Sequence, residues 1–161
     1  MLSIKPKTLS RIASVQGIYY HTSAKLPIER ILSDLEKFYD AEIIDQDSQT
    51  FGLKVNKIYL HQLLHATLLN IENVDSAISN NLIKTRDLQN LNLTLLSVLR
   101  AGVTELYYFP DTPFKVVINE FTNIASMMLV PNEVDFVNSL LQKVHDQNNQ
   151  TKPQDDPFIQ R

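Results

Sequence analysis

The sequence predicts an all-α protein of six or seven helices, and three observations carry that prediction. Apolar residues recur at three- and four-residue steps through most of the 161 residues, the spacing of a single helix face. Glycine occurs only at Gly17, Gly52 and Gly102, and no Asn-Gly or Asp-Gly pair marks a hairpin turn. From Leu99 to Val144, three helical stretches are joined by two short proline-bearing corners.

The elements follow in order. Leu9, Ile12, Ala13, Gln16 and Tyr19 or Tyr20 fall on one side of a first helix expected over residues 8–21. Pro27 opens the second, in the first turn where its missing N–H costs nothing, and Ile28, Ile31, Leu35, Phe38 and Tyr39 form its apolar stripe. Residues 45–54 are polar, contain one glycine and read as a loop. A long third helix then carries Leu60, Leu63, Leu64, Thr67, Ile71, Val74 and Ile78, and ends near Asn80 and Asn81.

The fourth helix, from about Leu88, holds Leu91, Leu95, Leu99, Gly102, Leu106 and Phe109. That ladder is nearly continuous and predicts a central helix buried on more than one side. Glycine at 102 costs about 1 kcal/mol relative to alanine in a helix, so a neighbouring helix is expected to approach closely there. Phe109-Pro110 ends this helix, because the residue before a proline is pushed out of helical geometry. Thr112 is expected to cap the next, with Pro113 at its first position and Val117, Phe121, Ile124, Ala125 and Met128 facing inward. Asn132 is the expected cap of the last helix, with Asp135 three residues on and Val134, Val137, Leu141 and Val144 on its inner face.

Composition narrows the function. With 43% hydrophobic residues, residues 1–145 are expected to form one domain around one core. Residues 146–161, DQNNQTKPQDDPFIQR, are polar, proline-bearing and without period, and are expected to form a disordered tail. No apolar run approaches the roughly 18 residues of a membrane span, so no membrane partner is expected. The opening MLSIKPKTLSRIAS has basic residues without an apolar signal core, which points to the cytoplasm. The absence of cysteine excludes disulfides, thiolate nucleophiles and cysteine-ligated zinc. Scattered glycines exclude a phosphate-cradling loop and a dinucleotide fingerprint. At net charge −3, any affinity for nucleic acid must come from a local basic patch or a basic partner.

Catalytic and metal chemistry find little support. His61 and His65 stand one helical turn apart, as two metal ligands could, but Gln62, Leu63 and Leu64 between them complete no HExxH site and no third ligand is fixed. Asp34 with Glu36, and Asp45 with Asp47, lie in polar stretches and read as solvated carboxylates. No nucleophile elbow accompanies the serines. Neither catalytic residues nor a cofactor are expected.

Two segments resemble a known family. In TLSRIASVQGIYYH, Arg11, Ala13, Gln16 and Tyr19 occur in the order found in the opening helix of the NusB family of bacterial transcription antitermination factors. VLRAGVTEL resembles that family's central helix, FKVVINEFTNIA its Asn-Glu helix, and DFVNSLLQK its last helix. Together they cover about half the chain. The resemblance implies a NusB-like bundle of two packed three-helix halves. It also implies partnership with NusE, a small-subunit ribosomal protein, and recognition of a single-stranded boxA element in nascent ribosomal RNA. The pair would act within the RNA polymerase antitermination complex, without catalysis. An interaction adaptor or homodimer on the same fold, with little direct RNA recognition, is the alternative.

Candidate contacts follow, each beside its plainer reading. Lys5, Lys7 and Arg11 would neutralise RNA phosphates, or form an ordinary solvated N-terminus. Gln16 and Tyr19 lie in the matched opening helix and are implied RNA contacts. Tyr19 and Tyr20 point about 100° apart on a helix, so one can pack inward while the other stacks on a base or a partner. Arg100 would face RNA, but an inter-helix pairing is the more economical reading for it and for Glu105. Asn119 and Glu120, inside an otherwise apolar helix, read as structural groups satisfying their neighbours. Asn132 and Phe136 begin the last helix, whose free N–H groups suit RNA or a partner, or they serve as a cap and a core aromatic.

Overall fold

The computed structural model describes residues 4–40, 42–44, 50–52 and 54–151. Seven α-helices lie within them: α1 (Pro6–Ala24), α2 (Ile28–Tyr39), α3 (Lys57–Leu69), α4 (Ile71–Asn80), α5 (Leu93–Tyr108), α6 (Phe114–Met128) and α7 (Pro131–Thr151). Two three-residue strands, β1 (Glu42–Ile44) and β2 (Thr50–Gly52), pair antiparallel with Ile43 opposite Phe51. The stretch expected as a loop thus contains a strand at 50–52. Strands this short offer no alternation to read. Residues 45–49 and 53 of that stretch lie outside the described residues.

Helix α5 is the axle. Every residue from Leu95 to Glu105 is buried, and α1, α3, α4, α6 and α7 all pack on it. Gly102 permits this, as expected: a Cβ built there would meet both Leu141 methyls at 3.0 Å and the Phe121 ring at 3.4 Å. Gly17 does the same for α1, lying against Leu64 and Ile31. Buried apolar side chains from Leu9 on α1 to Val144 on α7 form one continuous cluster.

Helix boundaries depart from expectation for identifiable reasons. α1 begins at Pro6, pre-set for a first helical turn, and ends past Ala24 at Lys25, whose φ of 52° is left-handed. Pro27 sits one residue before α2 as its cap, with ψ 145°. On α2, Ile31, Leu35 and Tyr39 are buried as expected, but Phe38 is 68% exposed, overhanging the open groove between α1 and α2. The expected long third helix is two helices. At Asn70, φ −111°, the backbone leaves the helix while its N–H and side-chain amide both donate to Ala66 O. Leu88–Asn90 form a separate 3-10 turn before α5, which Asn92 caps by accepting from Leu95 N–H at 2.8 Å.

The last two helices also start elsewhere than expected. Pro113, not Thr112, precedes α6, although Val117, Phe121, Ile124 and Ala125 bury as the spacing requires. Asn132 lies inside α7, and the capping contact comes from Glu133, which accepts from Val130 N–H at 3.4 Å. The helix continues through residues 146–151, which had been expected in the tail. His145 stacks on Phe114 at 3.7 Å, and Asn81 donates to Gln147 at 3.0 Å, so tertiary contacts hold the polar last turns. Residues 152–161 lie outside the described residues.

Candidate functional site

Arg11, expected at the surface, is inside, and Arg100 is inside as its inter-helix reading required. Arg11 is 3% exposed, and its Nε and Nη2 donate to Glu105 Oε1 and Oε2 at 2.8 and 2.9 Å. Tyr59 lies beneath it, with the guanidinium 5.3 Å from the ring centre. Glu120 approaches Arg11 Nη1 at 3.7 Å and accepts from the Thr8 hydroxyl at 3.0 Å. Burial works against the Arg11 charge, but the paired Glu105 carboxylate outweighs it and raises the pKa further above its ordinary value. The guanidinium is therefore committed to the core rather than offered to phosphate. Burial, and then the adjacent Glu105 carboxylate, push the Tyr59 hydroxyl up to about 12.

Arg100 is likewise consumed. It donates from Nε and Nη2 to both Asp75 oxygens at 2.8 and 2.9 Å, and from Nη1 to Thr22 Oγ1 at 3.2 Å, with 9% of its surface exposed. The inter-helix pairings expected for Arg100 and Glu105 are present, each to a different helix. Glu120 is structural, as read from sequence, whereas Asn119 faces solvent. His61 Nε2 hydrogen-bonds Glu36, so that carboxylate is engaged rather than simply solvated.

The remaining candidates divide between two ends of α1. Lys5 and Lys7 are exposed at its start, with Lys7 Nζ 5.1 Å from the centre of the Tyr59 ring. Beside them opens a cleft lined by Lys7, Tyr59, Gln62, Asn70, Tyr108 and Thr112. Twelve residues on, about 18 Å along the helix axis, Tyr19 and Tyr20 are 38% and 48% exposed, with rings edge-to-face at 6.0 Å. Neither packs inward, because Ile18 and Val15 occupy the buried face.

Gln16 is half-buried and its Oε1 accepts from the Tyr39 hydroxyl at 2.7 Å, which fixes the amide. Tyr19 and Tyr20 share a cleft with Thr94 at the start of α5 and Met128 at the end of α6. Asn92, two residues before Thr94, hydrogen-bonds Glu133 near the start of α7, where Asn132 is exposed. Phe136 is half-buried and carries the Arg86 guanidinium 5.1 Å from its ring centre. The tyrosine pair and the α7 start thus share one end of the molecule, and the two lysines lie at the other end of α1. Sequence reasoning missed Phe38, Thr94, Met128 and Arg86. Only Phe38 carried a signal, a large aromatic at the end of an amphipathic stripe.

The bundle is wound on a buried central helix, pairs Arg11 and Arg100 inside, and leaves Tyr19, Tyr20, Phe38 and Tyr108 exposed, with no assembled catalytic or metal cluster among the described residues. The model of the NusB family matches residues 8–146. Transcription antitermination protein NusB of Rickettsia bellii (strain OSU 85-389) is 36% identical over 148 residues, covering 90% of this chain and 93% of that protein. The chain belongs to the NusB family. The structure of T. maritima NusB superposes with a TM-score of 0.72 at 24% identity, over 90% of this chain and 94% of that one. A chain from the crystal structure of the antitermination factors NusB and NusE in complex with double-stranded RNA gives 0.73 at 16% identity, over 90% and 99%. These two likenesses establish the fold.

Proposed function

We propose that this chain is a cytoplasmic, non-catalytic transcription antitermination factor that binds single-stranded boxA RNA together with NusE. In this reading the pair engages nascent ribosomal RNA transcripts and assists RNA polymerase through premature terminators. Family membership supports the role, and the observation that carries the RNA contact is the outward-facing Tyr19–Tyr20 pair beside Gln16. Aromatic faces stack on unpaired bases with little regard to sequence. Asn132 and Phe136, at the same end, extend the contact surface toward RNA or NusE.

Charge sets the partner's share. Arg11 and Arg100 are paired inside the fold, leaving Lys5 and Lys7 as the phosphate contacts among the residues considered. A protein of net charge −3 then holds RNA weakly alone, and basic NusE supplies the remainder. Titrating a boxA oligomer with the protein, with and without NusE, across a salt series tests this. Much tighter binding with NusE is expected, and equal affinity in both arms would overturn the reading.

The burial of both arginines favours one second reading, a NusB-fold adaptor or homodimer with little direct RNA recognition. A further arm with NusE alone separates the two: the adaptor would bind NusE without adding to its RNA affinity.

A further inference from the structure

Beyond Tyr20 the surface dips into a cleft of about 300 Å³ between α1 and α2. Tyr20 and Phe38 wall it, Ile31 and Leu35 form its apolar floor, and Gln16 and Asp34 are its polar groups. Tyr20 and Gln16 also line the neighbouring cleft that holds Tyr19, so the two depressions form one track interrupted by the Tyr20 side chain. Phe38 displays 68% of its surface, although it lies on the stripe that buries Ile31 and Leu35. With Tyr20 and the apolar floor, Phe38 makes this cleft a place where aromatic and aliphatic surface lies open to solvent together.

We propose that this cleft receives one unstacked base of the bound RNA. The proposal rests on the RNA-binding reading above and adds to it a specific nucleotide pocket outside the contacts already named. Size favours a base over a protein segment. About 300 Å³ is the lower limit of small-molecule sites, enough for one planar ring, whereas a docked helix needs anchors spread over two turns. The two aromatic side chains in the lining are of the kind on which an unpaired base stacks.

The polar groups suit a base edge. Gln16 Oε1 is occupied by the Tyr39 hydroxyl, so its Nε2 hydrogens are the group left to donate. The Asp34 carboxylate, 62% exposed and 3.9 Å from Arg30, is an acceptor. A donor and an acceptor lining one cleft can serve an exocyclic amino group and a ring or carbonyl acceptor, as adenine, cytosine and guanine present. Lys25 and Lys37, exposed and adjacent in sequence to the lining residues Leu26 and Phe38, add positive charge for the flanking phosphates.

The test uses a boxA oligomer carrying an abasic nucleotide at each position in turn, bound to the full chain with NusE and to its Phe38→Ala variant. Phe38 is 68% exposed and touches Tyr39 edge-to-face at 5.0 Å, so the variant is expected to keep its fold, which its Tm checks. In the unaltered protein, one position inside the track is expected to lose about fivefold to a hundredfold in affinity when its base is removed. Phe38→Ala is expected to weaken the intact oligomer to a similar extent and to abolish the further loss at that position alone. A second variant, Asp34→Asn, should change base preference at that position and nowhere else.

Identical abasic profiles in the two proteins would overturn the pocket while leaving RNA binding in place. A fall in NusE affinity in Phe38→Ala, with no position-specific RNA effect, would reassign the cleft to a protein partner and likewise overturn it. No RNA binding by the unaltered complex at any salt concentration would remove the functional reading itself, and the pocket with it.

Discussion

Arg11 and Glu105, 94 residues apart in sequence, meet in a two-point contact of 2.8 and 2.9 Å with almost no water access. The pair ties α1 to α5, and Tyr59 and Glu120 bring α3 and α6 to the same guanidinium. Removing one member strands the other charge in the core. Arg11→Met or Glu105→Leu alone should each cost about 3–5 kcal/mol in denaturant unfolding, and the double replacement should recover much of that loss. Additive losses in the double variant would show that the two groups act independently.

Tyr59 gives this network a pH signature. Its folded pKa of about 12 lies above the ordinary 10, so its stabilising contribution is complete below pH 10 and is lost as pH rises through 12. Burial also raises Tyr39 and Tyr107, so tyrosinate absorbance should show a late-ionising group among the six tyrosines, and Tyr59→Phe should remove the step near 12. Persistence of the late step in the variant would assign it to another ring.

Gly102→Ala tests the seating of α5. Alanine gains about 1 kcal/mol in helix propensity, but its methyl would press on both Leu141 methyls at 3.0 Å in a fully packed site. A net loss of about 1–3 kcal/mol is expected, the usual cost of overpacking. A rise in Tm would mean that Leu141 yields freely.

Asn92 caps α5 through Leu95 N–H. Asn92→Ala should cost about 1 kcal/mol, read from the urea midpoint. Asn90→Ala, in the preceding exposed turn, serves as the control and should change little.

Lys5 and Lys7 are predicted to act on RNA through charge alone. Replacing both with alanine should lower the slope of log affinity against log salt by about 1.4, at roughly 0.7 per contact with a single strand, without changing Tm. An unchanged slope would remove the lysines from the RNA surface.

Much of the fold was legible because periodicity survives wherever a helix has one dry side. The stripes Ile31–Leu35, Val117–Phe121–Ile124 and Val137–Leu141–Val144 are buried as their spacing requires. The break at Asn70 was not legible, since it depends on a side-chain amide folding back onto Ala66 rather than on proline or glycine. The site was harder to read, for a related reason. Whether an arginine meets water or a carboxylate is decided by residues far away in sequence: Glu105 for Arg11, and Asp75 for Arg100. A motif can mark such an arginine, but only the fold shows which way it turns.

Helix α5 carries its two buried charges five residues apart, about 140° around the axis, with opposite signs and partners on opposite neighbours, α4 and α1. Apolar side chains tolerate a helix that is slid by a turn or rotated into the wrong groove, because one methyl replaces another. Arg100 and Glu105 do not. In any such misfitted packing both would lose their counterions at once, and each would be left facing hydrocarbon. The two ion pairs therefore act as a key with two unlike teeth, raising the energy of near-native alternatives more than they lower that of the native state.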